Sequence, residues 1–274
     1  HPVAHSFPTR RSSDLSNLQH FSPCPSLGDP DGIEVLGAAT YALWNPENRA
    51  LKYRIGTYLP RKGFKSSMQA QVRITNGKGR TILEDALPMQ HIHGKHGKPS
   101  HTLENAHGVC RVAVSDVERF LTFTYPATPL VLVGEDQADG WKRFSFTACG
   151  ARNWYFFVPR GTERFQVKAR AWIETDVFRL EVCAPDRVLA VLYANEDDCT
   201  VRVPQGLDNK IWYLRPSVGS ATRMITKQGP DTRYQDLPLT LDLNGVPGYL
   251  APTWEQWFDP ERPAGPLRRG TAKQ

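Results

Sequence analysis

The most constraining feature of this sequence is a period of two, in short segments where apolar residues alternate with polar ones. Residues 51–55, 71–74 and 165–169 all follow it, and Pro, Gly, Asn or Asp separate such segments. Alternation places apolar side chains on one face of an extended strand. Residues 76–79, Asn-Gly-Lys-Gly, predict a hairpin turn, and the nearest helical candidate is a weak stretch at 254–258. The pattern therefore predicts an all-β fold of two antiparallel β-sandwich, jelly-roll-like domains.

The chain divides at a polar, turn-rich segment, residues 134–140, which has the composition of a linker. We expect a first sandwich over residues 32–134 and a second over residues 141–258, each near the size of one small domain. A single larger sandwich is the alternative. Residues 259–274 carry Pro, Gly and a basic cluster without a core pattern, which predicts a disordered basic tail.

The first 31 residues are read as a leader that does not belong to either sandwich. Residues 5–15, HSFPTRRSSDL, resemble a translated sequencing adapter. We expect an artefact-derived or disordered leader, a true N-terminus that is missing, and a fragment of a longer protein. A basic, Ser-rich disordered arm is the alternative.

Composition is that of a soluble globular domain, with 40% hydrophobic and 23% charged residues. The formal net charge of +6 is a mild excess that favours anionic partners such as acidic glycans, nucleic acid or phospholipid. No groove-entering motif is present, so we predict no nucleic-acid partner. No apolar run is long enough to cross a bilayer, so we predict no membrane span.

The five cysteines, Cys24, Cys110, Cys149, Cys183 and Cys199, form no CxxC pair, which disfavours a zinc ribbon or a thioredoxin-like site. Cys183 and Cys199 flank a predicted hairpin and are candidates for a disulfide at its base. The alternative is that they are small buried hydrophobic residues.

A histidine-rich segment, residues 89–108, holds five of the eight histidines of the chain. His91, His93 and His96 are candidate ligands for zinc or copper, and the first two would share a strand face. The segment is also rich in Gly and Lys, which is typical of a solvated insertion loop. The metal site and the solvated loop remain alternatives, and the sequence predicts no other cofactor.

Acidic residues cluster at 135–139 and at 196–198, in apparent turns. Glycoside hydrolysis needs two carboxylates that flank the scissile bond, and acidic loops can hold calcium. Turn acids more often accept hydrogen bonds from local backbone N–H groups. The chain has no GxSxG elbow, phosphate-binding Gly-rich loop or HExxH helix, so we predict no catalytic residue in it.

Seven tryptophans are present, and three of them are candidate carbohydrate-binding residues: Trp172, Trp212 and Trp141. Trp172 and Trp212 are predicted to lie on the face opposite the apolar residues of their strands, where a ring could stack on a sugar. The alternative is that these rings cover a seam between domains or belong to a second core layer. Trp154 is predicted to lie in the core, and Trp254 and Trp257 to clamp the C-terminal segment onto the body.

Three segments together carry a resemblance to a known class of module. They are WYFFVPRGTERF at 154–165, CAPDR at 183–187 and VPQGLDNKIW at 203–212. This series resembles the C-terminal β-sandwich accessory modules of large secreted bacterial proteins that process polysaccharides. It departs from them at the hairpin, where Ala-Pro-Asp-Arg replaces a Pro-Asp-Gly turn. The resemblance carries over no catalytic residue.

These observations together predict a non-catalytic accessory region of a larger glycan-processing protein, extracellular or periplasmic, with polysaccharide as a candidate ligand. Its expected partner is an upstream catalytic domain of the same protein. The alternative is the C-terminal fragment of a glycoside hydrolase or related glycan-active enzyme, whose active site lies mostly upstream.

Overall fold

The computed structural model describes residues 21–23, 32–58, 69–88, 100–104, 106–116, 120–124, 128–147, 153–171, 178–194, 196–219 and 238–263. These residues confirm the all-β fold: they contain no α-helix, and their only helical turn is a 3-10 turn at Ala138–Gly140. They form twenty strands: β1 (Phe21–Pro23), β2 (Gly32–Leu36), β3 (Ala39–Asn45), β4 (Leu51–Tyr58), β5 (Gln69–Asn76), β6 (Thr81–Pro88), β7 (Ser100–Leu103), β8 (Gly108–Ser115), β9 (Phe120–Thr124), β10 (Leu130–Val133), β11 (Glu135–Asp136), β12 (Lys142–Thr147), β13 (Trp154–Val158), β14 (Arg164–Ala171), β15 (Phe178–Cys183), β16 (Val188–Ala194), β17 (Glu196–Arg202), β18 (Lys210–Gly219), β19 (Pro238–Asn244) and β20 (Tyr249–Leu250).

The strands pair into three antiparallel sheets. A nine-stranded sheet has the order β17-β14-β19-β12-β2-β9-β4-β7, with β11 paired to β12. A six-stranded sheet has the order β20-β10-β3-β8-β5-β6. A five-stranded sheet has the order β1-β18-β15-β16, with β13 also paired to β18.

The nine-stranded sheet packs against each of the other two, which gives the sandwich-like layering. Phe165 of β14 meets Phe156 of β13 and Trp212 of β18 edge to face, with ring centroids 5.6 and 5.4 Å apart. At the other end, Leu43 of the six-stranded sheet and Ile55 of the nine-stranded sheet belong to the same buried cluster. That cluster runs without interruption through residues of all three sheets.

Strands from both sides of the predicted linker share the nine-stranded sheet. Strands β2, β4, β7 and β9 precede residue 134, whereas β12, β14, β17 and β19 follow residue 140. The two groups meet where Phe146 pairs with Val35. On the opposite layer, a bridge between Tyr155 and Ala251 joins β13 to the segment after β20. Both layers are therefore continuous across the junction between the strands before residue 134 and those after residue 140. We call this junction the seam.

The predicted hairpin turn at residues 76–79 is confirmed, and side-chain chemistry explains it. Asn76 Oδ1 accepts hydrogen bonds from the backbone N–H groups of Lys78 and Arg80, each at 3.0 Å. Gly79 has a φ of +74°, a left-handed conformation that costs glycine little. The turn fixes the register of β5 against β6.

Residues 252–263, here called the C-terminal strap, cross the outer side of the seam. Trp257 and Phe258 are buried in a second cluster together with Ala42, Val131 and Ala251. The predicted clamping role of Trp257 is confirmed by this packing. Trp257 Nε1 also donates a hydrogen bond to the Tyr249 carbonyl at 3.3 Å.

The packed chain extends past both predicted ends of the sandwiches. Strand β1, from the predicted leader, pairs with β18 through Phe21, Ser22 and Pro23. Residues 259–263, from the predicted tail, form a turn in which Pro260 is buried. Residues 5–15 and 264–274 lie outside the described residues.

Candidate functional site on the five-stranded sheet

The outer face of the five-stranded sheet, which points away from the core, carries an unusual set of side chains. On strand β15, Phe178, Leu180 and Val182 point into the core, and Glu181 and Cys183, which lie between and after them, are also buried. The intervening residues, Arg179, Glu181 and Cys183, therefore lie on the outer face. Strand β18 follows the same rule, with Trp212 and Leu214 inward, and Ile211, Tyr213, Arg215 and Ser217 outward.

Three of these outward residues form an Arg–Glu–Arg cluster: Arg179, Glu181 and Arg215. Glu181 lies directly opposite Arg215 in the ladder. Its Oε2 atom accepts hydrogen bonds from Arg215, and its Oε1 atom is ion-paired with Nη2 of Arg179. The carboxylate is only 4% exposed, whereas the side chains of Arg179 and Arg215 are 35% and 47% exposed. The buried carboxylate thus holds two guanidinium groups in fixed positions at the surface.

Two charges of one sign and one of the other leave the cluster with one net positive charge. The hydrogen bond to Glu181 is the main reason why the pKa of Arg215 is raised above its ordinary value. Guanidinium groups present several N–H donors in a planar fork, which suits carboxylate, sulfate or phosphate oxygens. The cluster is therefore a preorganised donor surface for an anionic group.

Next to the cluster lies a tyrosine pair, Tyr155 and Tyr213. The two residues are opposite each other on β13 and β18, and their ring centroids are 5.6 Å apart. Both side chains are half-buried. Asn153 donates a hydrogen bond to the Tyr155 hydroxyl at 3.3 Å, which limits how that ring can turn. Tyr155 also packs against the cluster that contains Trp257 and Phe258 of the C-terminal strap, so Tyr213 is the ring of the pair that lies nearest the two guanidinium groups.

Cys183 completes the face but is not a reactive thiol. It is fully buried, and burial is the largest of the effects that raise its pKa. The Tyr213 hydroxyl hydrogen-bonds its sulfur. Burial also raises the pKa of Tyr213, so its hydroxyl keeps its proton at neutral pH. A protonated, buried thiol is a poor nucleophile.

The sequence-predicted carbohydrate residues are not brought together on one open face. The outward orientation predicted for Trp212 is wrong: its ring is 0% exposed, and its Nε1 donates a hydrogen bond to the Leu207 carbonyl at 2.8 Å. A ring enclosed in this way has no face left for a sugar. Trp141 is half-buried and precedes β12 in the nine-stranded sheet. Trp172 lies outside the described residues.

The candidate metal ligands His91, His93 and His96 also lie outside the described residues, so a metal site there stays a prediction. Within the part of the chain that the structure describes, no group of three or more His, Cys, Asp or Glu residues could hold a metal ion.

The two acidic clusters were predicted to lie in turns, but Glu135 and Asp136 form β11 and residues 196–198 begin β17. Asp136 is ion-paired with Lys142. Asp197 accepts hydrogen bonds from the backbone N–H groups of Tyr193 and Asp198, each at 2.9 Å. Local backbone donors therefore use the lone pairs of Asp197, as expected for a carboxylate that stabilises a turn.

The candidate disulfide between Cys183 and Cys199 is wrong, because both thiols are free, as is that of Cys110. Strands β15 and β16 do form a hairpin. Cys199, however, lies on β17, opposite Val167 in the nine-stranded sheet. The two cysteines therefore belong to different layers, and burial raises the pKa of Cys199 to about 11.

The sequence analysis missed the Arg–Glu–Arg cluster, although the signal for it was present. In FRLEVC (178–183) and IWYLR (211–215), apolar residues occupy both odd-numbered and even-numbered positions. The charged residues occupy only odd-numbered positions, and therefore only one face of each strand. A guanidinium is rarely buried without a partner. Arg215 therefore fixes the outward phase of β18 and with it the inward position of Trp212.

Comparisons with known proteins add little to this picture. No protein-family model matches the chain, and no curated protein matches it. Among solved structures, the chain is similar to the CUB1-EGF-CUB2 region of human MASP-1/3, with 8% identity and a TM-score of 0.20 over 85% of this chain and 98% of that chain. It is also similar to a structure of infectious bursal disease virus, Gx strain, with 10% identity and a TM-score of 0.16 over 85% of this chain and 75% of that chain. Likenesses this weak assign neither a fold family nor a function.

A membrane-spanning helix is likewise not found among the described residues, where no helix has the length and apolar character to cross a bilayer.

Proposed function

We propose that this chain is a non-catalytic β-sandwich accessory region of a larger extracytoplasmic glycan-processing protein, and that it contacts carbohydrate through the outer face of the five-stranded sheet. The observation that carries the proposal is the tyrosine pair beside the Arg–Glu–Arg cluster. The extracytoplasmic setting and the upstream catalytic domain rest on the resemblance of residues 154–212 to accessory modules of secreted proteins.

Sugar recognition on a sheet surface needs an aromatic ring and hydrogen-bond donors that are fixed in position. Tyr155 and Tyr213 supply ring area together with hydroxyl groups, and tyrosine buries much surface at a low cost in side-chain entropy. Their positions are set by backbone pairing on regular strands. A site of this kind is more precise than one on loops.

The chemistry of the buried acids favours binding over hydrolysis. A glycosidic general acid needs a carboxyl group that exchanges its proton with the substrate. Glu181 is instead engaged by two guanidinium groups. Asp242, the other buried acid among the described residues, forms a bidentate pair with Arg143 at 2.8 and 2.9 Å.

Affinity electrophoresis of the full chain in native gels with and without polysaccharide tests the proposal. We expect retardation in at least one polysaccharide gel, and weaker retardation for Tyr213→Ala. The matched control is Tyr213→Phe, which keeps the ring and loses only the hydroxyl. Unchanged mobility of the parent chain across neutral and acidic polysaccharides would refute carbohydrate contact.

A further inference from the structure

We infer that the Arg–Glu–Arg cluster makes this surface selective for acidic glycans, with a carboxylate or sulfate of the sugar held between Arg179 and Arg215. The inference rests on the carbohydrate contact proposed above and adds the ligand class. Its basis is a juxtaposition of fixed donors, surplus positive charge and aromatic surface on one sheet face.

The role of Glu181 explains why the cluster is built to bind and not only to fold. Without a carboxylate between them, two arginines on neighbouring strands would repel each other and sample many rotamers. The carboxylate of Glu181 contacts both and is almost inaccessible to solvent, with 4% of its side chain exposed. The two guanidinium groups are therefore already ordered before a ligand binds, which lowers the conformational entropy lost on binding.

Each guanidinium is only partly consumed by Glu181. The hydrogen bonds and ion pairs to the carboxylate involve Nε and Nη2 of Arg215 and Nη2 of Arg179. The Nη1 atoms of both residues are not engaged by Glu181, and the two side chains are 35% and 47% exposed, although Nε of Arg179 is buried without a hydrogen-bond partner among the described residues. An anionic group at this point would neutralise the one remaining positive charge.

The spacing suits a sugar ring carrying its charge on one side. Tyr213 and Arg215 are two residues apart on β18, so their side chains lie on one face about 7 Å apart along the strand. A hexuronic acid carries its carboxylate at one edge of the ring, so a ring that lies on Tyr213 can direct the acid toward Arg215. The tyrosine pair can contact the ring while the arginines contact the acid.

Matched pairs of polysaccharides test the inference, because each pair differs only in charge. Polygalacturonate is compared with its highly methyl-esterified form, and dextran sulfate with dextran, by affinity electrophoresis at about 0.15 M salt to screen long-range attraction. We expect retardation by at least one acidic member and about tenfold weaker retardation by its neutral partner. The two pairs distinguish a carboxylate from a sulfate ligand.

Variants separate the cluster from general charge attraction. Arg215→Gln and Arg179→Gln should each raise the dissociation constant about tenfold. Arg215→Lys should lie between Arg215→Gln and the parent, since lysine keeps the charge but loses the planar fork. Arg202→Gln is the control, because it removes the same charge from an exposed position on the nine-stranded sheet.

Four outcomes would overturn the inference. Equal losses of affinity for Arg202→Gln and Arg215→Gln would show non-specific electrostatic attraction. Equal retardation by the charged and neutral members of a pair would show that the charge of the polysaccharide does not contribute to binding. Equal binding of single-stranded DNA, lost in the same variants, would show a general polyanion site. Retardation by neutral polysaccharides alone would end this inference and leave the proposed function standing. If Arg215→Gln does not fold, Arg179→Gln and Arg215→Lys decide the question.

Discussion

The inward position of Trp212 can be tested by the substitution Trp212→Phe. The ring is fully buried between Phe156 and Phe165, and its Nε1 donates to the Leu207 carbonyl at 2.8 Å. Phenylalanine keeps an aromatic ring in the layer but cannot make this bond. A buried carbonyl left without its donor costs about 1–3 kcal/mol. The smaller ring leaves a cavity of about 40 Å³, which adds about 1 kcal/mol.

The expected loss of about 2–4 kcal/mol corresponds to a melting temperature lower by about 5–15 °C, as measured by calorimetry. Tyr213→Phe is the matched control, since it changes the next residue on the outer face and should cost less than about 1 kcal/mol. Gel retardation of Trp212→Phe, measured well below its melting temperature, should equal that of the parent. A protein with an unchanged melting temperature and weaker sugar retardation would refute the inward assignment and restore Trp212 as a surface contact.

Three further outcomes follow from the packing. Trp257→Ala should lower the free energy of unfolding by about 3–5 kcal/mol, because the residue is only 2% exposed. Trp254→Ala, at a half-buried position, should lower it less, and equal losses of stability would contradict the packing of the strap. Gly134→Ala should cost about 1–3 kcal/mol, since an added Cβ would lie 2.7 Å from Cζ of buried Phe144; a neutral effect would contradict the close approach at the seam. Burial raises the pKa of Cys110 from 9.0 to about 11, so the folded state binds its proton more tightly and stability is lost as pH rises from 9 to 11. Between pH 8.5 and pH 10.5 this loss amounts to about 1.7 kcal/mol, and Cys110→Ala should remove it in chemical unfolding at the two pH values; parallel losses in the two proteins would contradict the burial.

The in-or-out phase of a strand was predictable where only one phase is apolar. Strand β14 is the clearest case, because Phe165, Val167 and Ala169 are buried in the order that the sequence predicts. The same reasoning failed for strand β18, because the adjacent apolar residues Ile211 and Trp212 place an apolar side chain on each face at its start. Which face each residue of β18 occupies then has to be decided from the whole strand. The only charged residue after Lys210 is Arg215, which indicates the outward face.

Pairing between strands was not predictable, because it joins residues that are distant in sequence. Arg143 and Asp242 are 99 positions apart, and Glu181 and Arg215 are 34 apart. Alternation specifies which face a residue occupies but says nothing about its cross-strand neighbour. The candidate disulfide failed for this reason: local spacing placed Cys183 and Cys199 at one hairpin, whereas the chain crosses to the other layer between them.

Cross-strand neighbours also decide where the excess positive charge of the chain can act. On the outer face of the nine-stranded sheet, ladder partners form a row with the order Asp198, Lys168, Asp242, Arg143 and Glu135. The signs alternate along the row, and its three carboxylates outnumber its two cations, so the row offers nothing to a polyanion. The Arg–Glu–Arg cluster has the opposite balance, with one carboxylate between two cations. In a chain with dispersed basic residues, strand pairing thus creates a localised surplus of positive charge, whereas composition alone gives the net charge without its location.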